Sequence, residues 1–406
     1  MDRIRNPFAP GAGTPPPALV GREEVLGDAK VTLARVKENR PAKSFLLIGL
    51  RGVGKTVLLN RIQDMAEEAG FKAISIEAPE NKRLPALLIP PLRKIMLALD
   101  RFENVNEYVK RGLRVLKSFA GAFKLGMGDF DIALDIDPEV GSADSGDLEA
   151  DLSELLLAVA QAANARKIPV AIFIDEMQYL NEDELSALIM AIHKVAQKQL
   201  PLLLVGAGLP QLVGLTGKSK SYAKRLFDFP KIGALENKDA RDALEVPVKK
   251  EGIAFETKAL GEIIAVTKGY PYFLQEWGYH TWNIAERSPI SIDDVKAAHT
   301  AVIQRLDESF FGVRFDRLTP RERDYMRAMA ELGPGPHRSG EVADMLGLNV
   351  HTVAPLRSGL IRKGMIFSPA HGDTAFAVPL FDEFMKRIMP DMKRRKAARL
   401  APPATH

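Results

Sequence analysis

Gly49-Leu50-Arg51-Gly52-Val53-Gly54-Lys55-Thr56 is a complete G-x-x-x-x-G-K-[ST] loop. The apolar run Ser44-Phe45-Leu46-Leu47-Ile48 precedes it and reads as a strand. Val57-Leu58-Leu59-Asn60-Arg61-Ile62 follows with a helical pattern. A strand, a glycine-rich turn and a helix N-terminus aim backbone N–H groups at one point, an arrangement that suits phosphate. Gly49, Arg51, Gly52, Val53, Gly54 and Val57 are therefore expected to wrap the phosphates. Lys55 is expected to reach the β- and γ-phosphates, and the Thr56 hydroxyl to hold Mg²⁺. These residues predict an ATP·Mg²⁺ site.

Working outward, Phe71–Glu77 alternates like a strand, and 84–101 reads as a helix that Pro90 and Pro91 should break or restart. Leu148–Arg166 is a helix pattern, Val170–Ile174 a buried-type strand, Glu182–Gln199 a helix and Pro201–Val205 another strand. Strands alternating with helices predict an α/β fold: a mostly parallel sheet with helices on both faces. The strand Val170–Ile174 ends in Asp175-Glu176, which places two carboxylates at the carboxyl edge of that sheet, where ligands bind. Asp175 is expected to complete the Mg²⁺ shell beside Thr56. Glu176 is expected to orient and deprotonate the attacking water.

The chain has 406 residues, 46% hydrophobic and 27% charged, which is ordinary for a globular protein of two or three domains. It has no cysteine, which excludes disulfides, thiolate zinc sites and cysteine catalysis. The seven histidines show no metal-ligand spacing. No apolar run approaches membrane-spanning length, and Met1–Pro7 lacks an apolar signal core, so no membrane partner and a cytoplasmic location are expected. The net charge of +4 is uneven: Leu318–His406 holds 14 Lys and Arg against nine Asp and Glu. That asymmetry points to an anionic partner for the C-terminal part.

Residues 1–17 form a Pro/Gly-rich, flexible lead-in, and 103–147 looks like an insertion. The insertion combines a basic amphipathic stretch, Tyr108–Lys124, with an alternating Phe130–Asp137 strand that has one acidic face. The acidic face lacks the spacing of a calcium loop and reads as solvated. From Leu318 the pattern changes. Thr319-Pro320 opens a helix, Ser339–Leu346 a second and Asn349–Gly364 a third, although Pro355 moves the expected start of the third toward Thr352. Met365–Ser368 and Ala375–Val378 then form a hairpin. Three helices and a two-stranded wing over 318–388 predict a winged helix-turn-helix, with Asn349, His351, Thr352 and Arg357 as candidate contacts to duplex DNA. Lys393-Arg394-Arg395-Lys396 in the 389–406 tail would add salt-dependent phosphate attraction.

The phosphate loop, Asp175-Glu176 and Leu19-Val20-Gly21-Arg22-Glu23 together resemble the AAA+ ATPases, in particular the branch of Orc1/Cdc6-like initiators, archaeal-type ATPases and STAND signalling ATPases. The resemblance covers about 18–300 and implies a P-loop NTPase domain over 18–234 and a helical lid over 235–306. It implies that Val20, Gly21 and Arg22 lie over the adenine. Gly269-Tyr270-Pro271 resembles the lid motif of this branch, so Tyr270 and Pro271 are expected at the nucleotide. Lys224-Arg225-Leu226-Phe227 resembles a segment carrying an arginine finger, which would make Arg225 catalytic on a neighbouring subunit and imply a homo-oligomer. The chain departs from the branch where a polar sensor is expected and Gly206-Ala207-Gly208 stands, and where the lid offers Tyr270-Pro271 without an obvious sensor arginine. Both departures imply a slow ATPase that works as a switch between ATP and ADP. Three readings follow: a switch coupled to DNA, a signalling or defence scaffold that docks a protein partner, and an ATPase assisting DNA transposition or recombination. Gln178, just after the carboxylates, either senses the γ-phosphate or caps the next turn.

Overall fold

The computed structural model describes residues 1–11, 13–100, 106–124, 137–220, 223–370 and 372–390. The expected acidic strand at 130–136 and the basic cluster Lys393–Lys396 lie outside the described residues.

Five parallel strands form the central sheet: β1 (Ser44–Ile48), β2 (Lys72–Glu77), β3 (Val170–Asp175), β4 (Leu202–Gly208) and β5 (Phe227–Asp228), in the order β2-β3-β4-β1-β5. Every residue of β1, β3 and β4 is buried, as expected for strands covered on both faces. The period-two alternation of side chains divides the core. Leu46, Ile74, Ile172, Ile174 and Leu204 face the helices Leu84–Asp100, Glu107–Ala122, Leu148–Arg166 and Glu182–Gln197. Phe45, Leu47, Phe173, Leu203 and Val205 face Glu23–Lys37 and Lys55–Glu68.

The helix Leu84–Asp100 runs unbroken through Pro90 and Pro91, contrary to the expected break. Burial of Leu88, Ile89, Leu92, Ile95 and Met96 outweighs the two missing backbone donors. The helix Glu107–Ala122 of the expected insertion buries Val109, Leu113, Val115, Leu116 and Phe119 in the main core, and its Arg111 and Arg114 pair with Glu139.

After the sheet come the helices Asn237–Lys250, Thr257–Thr267, Pro271–Ile284 and Ile292–Arg305. A π-helical turn, Leu306–Phe311, and the short helix Gly312–Asp316 lead onward. The C-terminal module has helices Pro320–Leu332, Ser339–Leu346, Val350–Arg362 and Phe381–Ile388. Its small antiparallel sheet has the order β6-β8-β7, with β6 (His337–Arg338), β7 (Ile366–Phe367) and β8 (Asp373–Phe376). One continuous apolar cluster runs from Leu244 and Trp277 through Phe310, Phe311 and Phe315 to Phe381 and Phe384. The third helix, expected over Asn349–Gly364 or from near Thr352, runs from Val350 to Arg362, because the Asn349 side chain accepts from the His351 N–H and caps it.

The described residues of the lead-in form neither helix nor strand, but they are packed rather than free. Phe8 is 3% exposed and lies against Gly278, where a Cβ would collide with its ring. The Asn6 amide donates to Tyr279 O, and Trp282 Nε1 donates to Asp2 O.

Candidate nucleotide site

The loop 49–54 leaves β1 at the carboxyl edge of the sheet and enters the helix Lys55–Glu68. Gly52 (φ +78°) and Gly54 (φ +89°, the helix N-cap) hold backbone angles that L side chains rarely adopt. Gly49 is required differently: a Cβ there would collide with the Ile232 carbonyl. The loop borders a cavity of about 400 Å³. Arg51, Gly52, Val53, Gly54, Lys55, Thr56 and Val57 all line it, whereas Gly49 shapes the turn from behind.

The charged groups converge as the spacing predicts. Thr56 Oγ1 donates to Asp175 Oδ2 at 2.6 Å, so the last residue of β3 and the first turn of the helix present their oxygens together. Burial raises the Asp175 pKa, against the opposing hydrogen bonds from Thr56 and the Glu176 N–H. Lys55 is 7% exposed, and its Nζ donates to Leu50 O. Burial lowers its pKa to about 8, although Glu176 and Asp175 oppose the shift. Glu176 takes a left-handed backbone angle (φ +53°), an unusual conformation for a side-chain-bearing residue at the mouth of a site. Arg51 Nη1 lies 3.3 Å from Glu176 Oε1, and Arg51 Nη2 donates to Tyr179 Oη at 2.8 Å.

Gln178 bridges two elements. Its amide donates to Glu176 Oε2, and its Oε1 accepts from the Leu209 N–H at the end of β4. A polar group thus reaches the place beside β4 where Gly206-Ala207-Gly208 offers none. Packing explains those glycines: a Cβ on Gly206 would lie 2.6 Å from Leu46 Cδ2 and collide with the Met177 sulfur, and one on Gly208 would lie 2.8 Å from Leu212 Cδ2.

Val20 and Arg22 line the far side of the cavity, and Arg22 donates to Gly233 O and Val53 O. Gly21 (φ +67°) packs on Asp239 behind them. Pro271 lines the cavity, while Tyr270 packs into the apolar core and Tyr272 takes the cavity position beside it. Arg225 is exposed on the short helix Ala223–Leu226 and is not among the lining residues. Several lining residues were not anticipated. Ala9, Pro10, Gly11, Gly13, Thr14 and Pro16 make the lead-in a wall of the cavity, and Gln275, Phe310 and Arg314 come from beyond the sheet. A Pro/Gly-rich stretch carries no periodicity from which such a contact could be read.

The C-terminal module touches the phosphate loop directly. The Arg51 backbone N–H donates to Ala377 O at 3.2 Å, and Arg51 Nε reaches Gly364 O at 3.4 Å. Within the module, Arg357 donates to Thr374 Oγ1, Ser368 Oγ and Asp373 O, which ties its helix to the hairpin. That guanidinium is occupied internally, whereas Asn349, His351 and Thr352 are exposed.

The donor set fits a nucleoside triphosphate with Mg²⁺: a glycine cradle, a buried ammonium, and a hydroxyl–carboxylate pair with hard oxygens. Residues 18–205 match the family model described as an AAA ATPase domain, and residues 308–385 match one described as a domain of unknown function. No curated protein matches the chain in sequence. Among solved structures, a Walker-type ATPase of Pyrococcus abyssi is 18% identical and covers 91% of this chain and 96% of its own, with a TM-score of 0.54. The Orc1 protein of Aeropyrum pernix, solved in complex with DNA, is 17% identical over 96% of this chain and 97% of its own, with a TM-score of 0.48. The sheet and its loop are those of a P-loop NTPase, and residues 18–205 carry an AAA-type ATPase domain. Among the described residues, no helix is long and apolar enough to cross a membrane.

Proposed function

We propose that the AAA-type ATPase domain of residues 18–205 drives a nucleotide switch, in which ATP binding and slow hydrolysis set the position of the C-terminal module, and that this module is a winged helix-turn-helix binding duplex DNA. The observation that carries the reading is Arg51. One residue of the phosphate loop pairs with Glu176 and bonds the backbone of the module at Gly364 and Ala377. Any rearrangement of the loop on nucleotide binding therefore changes a contact made by the module, and differential affinity for two arrangements is all that coupling requires.

Within the site, Lys55 would hold the β- and γ-phosphate oxygens, and Thr56 and Asp175 would hold the metal. Mg²⁺ bound there would neutralise phosphate charge in the transition state. Glu176 would orient the attacking water and take its proton on a carboxylate oxygen, with Gln178 fixing that carboxylate from the β4 side. Arg225, exposed and away from its own cavity, would act on a neighbouring subunit.

One observation favours a second reading, in which the module docks a protein. Arg357 is committed to the hairpin, which leaves Asn349, His351 and Thr352 to meet a ligand without a free cation among them. Steady-state ATP hydrolysis with and without duplex DNA separates the two, with Glu176→Gln as the blank. The DNA-coupled switch predicts turnover that rises with DNA and falls by roughly 100-fold or more in the variant. Turnover in the wild type that ignores DNA would favour the protein-docking module.

A further inference from the structure

Arg314 belongs to the short helix Gly312–Asp316, between the lid helices and the C-terminal module, yet its side chain lines the nucleotide cavity. A stack that begins at the phosphate loop holds it there. The Tyr272 N–H donates to Gly52 O at 3.1 Å, and a Cβ on Gly52 would meet Tyr272 Cβ at 3.2 Å. The Tyr272 ring stacks on Phe310 at 4.7 Å and 22°. The Arg314 guanidinium lies over the same Phe310 ring, at 4.3 Å, and donates to Phe310 O. Loop, aromatic pair and guanidinium thus form one continuous set of contacts.

Among the described residues the cation makes no direct ion pair with a carboxylate, unlike Arg51, which pairs with Glu176; the Glu176 charge acts on Arg314 only from a distance. Burial and the neighbouring Arg51 charge depress its pKa to about 10. A desolvated cation is stable only when an anion or its equivalent answers it. Arg51, Lys55 and Arg314 all line the cavity, three cations against the carboxylates of Glu176 and Asp175. Polyphosphate is the anion that the glycine loop selects.

We propose that Arg314 binds the γ-phosphate of ATP within its own chain and so distinguishes ATP from ADP, supplying from the inter-domain segment the cation that the Tyr270-Pro271 motif lacks. The proposal rests on the nucleotide-site reading above. It gives the switch a direct lever: loss of the γ-phosphate releases Arg314, and Arg314 is covalently continuous with the helix Pro320–Leu332 of the module.

The test is calorimetric titration of the full chain with Mg²⁺ and either ADP or a non-hydrolysable ATP analogue. The variants are Arg314→Gln, Arg314→Lys, Phe310→Leu and Lys55→Ala. Arg314→Gln should weaken the analogue by roughly 10- to 100-fold, the size of a charge-assisted hydrogen bond, and ADP by less than about twofold. Arg314→Lys should restore part of the preference, and Phe310→Leu should lose part of it. An analogue-to-ADP affinity ratio equal in Arg314→Gln and wild type would overturn the proposal, as would an equal weakening of both ligands. Lys55→Ala binding both ligands like wild type would overturn the nucleotide site itself, and the Arg314 role with it.

Discussion

Gly206 shows how a missing side chain can be a packing requirement. A Cβ at this β4 position would press on Leu46 Cδ2 and the Met177 sulfur in a closed core. Gly206→Ala is therefore expected to destabilise the protein by about 1–3 kcal/mol, read as a lower midpoint of urea unfolding. Lys55 carries a second residue-scale consequence. Its folded pKa, lowered to about 8 chiefly by burial, means that the free site loses its ammonium as pH rises through 8. Phosphate binding needs the charged form, so ATP affinity should be flat below pH 7 and fall by up to about tenfold per pH unit above 8. Lys55→Arg, charged throughout, should lack that fall. The residues of the loop, and Asp175 and Glu176, were readable from sequence because the chemistry fixes both their types and their spacing. Gln178 stands out in the sequence only by its place after the carboxylates, with two roles open, and Arg314 does not stand out at all, because a single arginine has no pattern and its role depends on what the fold brings to it.

At the level of elements, the legible parts are those with a strong period or a hard boundary signal. β1, β3, Leu148–Arg166 and Glu182–Gln197 appear within a residue or two of where alternation and capping place them. A misreading occurs where tertiary packing overrides a local rule, as at Pro90-Pro91, whereas at Val350 the local Asn349 cap sets the helix start and Pro355 does not move it. β6 was missed because two residues, His337-Arg338, leave no periodic trace and exist as a strand only through β8. Arg357 belongs at this scale: it locks the helix Val350–Arg362 onto the hairpin through three bonds. Arg357→Ala should cost about 1–3 kcal/mol in urea unfolding of the full chain, an effect that a purely surface arginine would not show.

The whole molecule reads as two bodies with one seam. The sheet buries its own two faces, while the helices from Asn237 to Arg305 and the C-terminal module share a continuous apolar cluster, so the proposed switch would move the second body about the seam. The seam runs through the nucleotide cavity, where Arg51 meets Gly364 and Ala377 and where Phe310 and Arg314 enter from the segment before the C-terminal module. Gly364, at φ +63°, makes that approach possible, because a Cβ there would lie 2.8 Å from Arg51 Nη2. The absence of native cysteine lets the proposed movement be tested directly. Asp64 and Ser358 are exposed, one on the helix after the phosphate loop and the other in the C-terminal module. Spin labels on Asp64→Cys and Ser358→Cys, in a Glu176→Gln background that retains ATP, report the distance between the two bodies. Pulsed dipolar spectroscopy should give two distinct distance distributions, one with Mg²⁺·ATP and another with Mg²⁺·ADP. A single distribution unchanged between the two nucleotides, both shown to be bound, would contradict the switch.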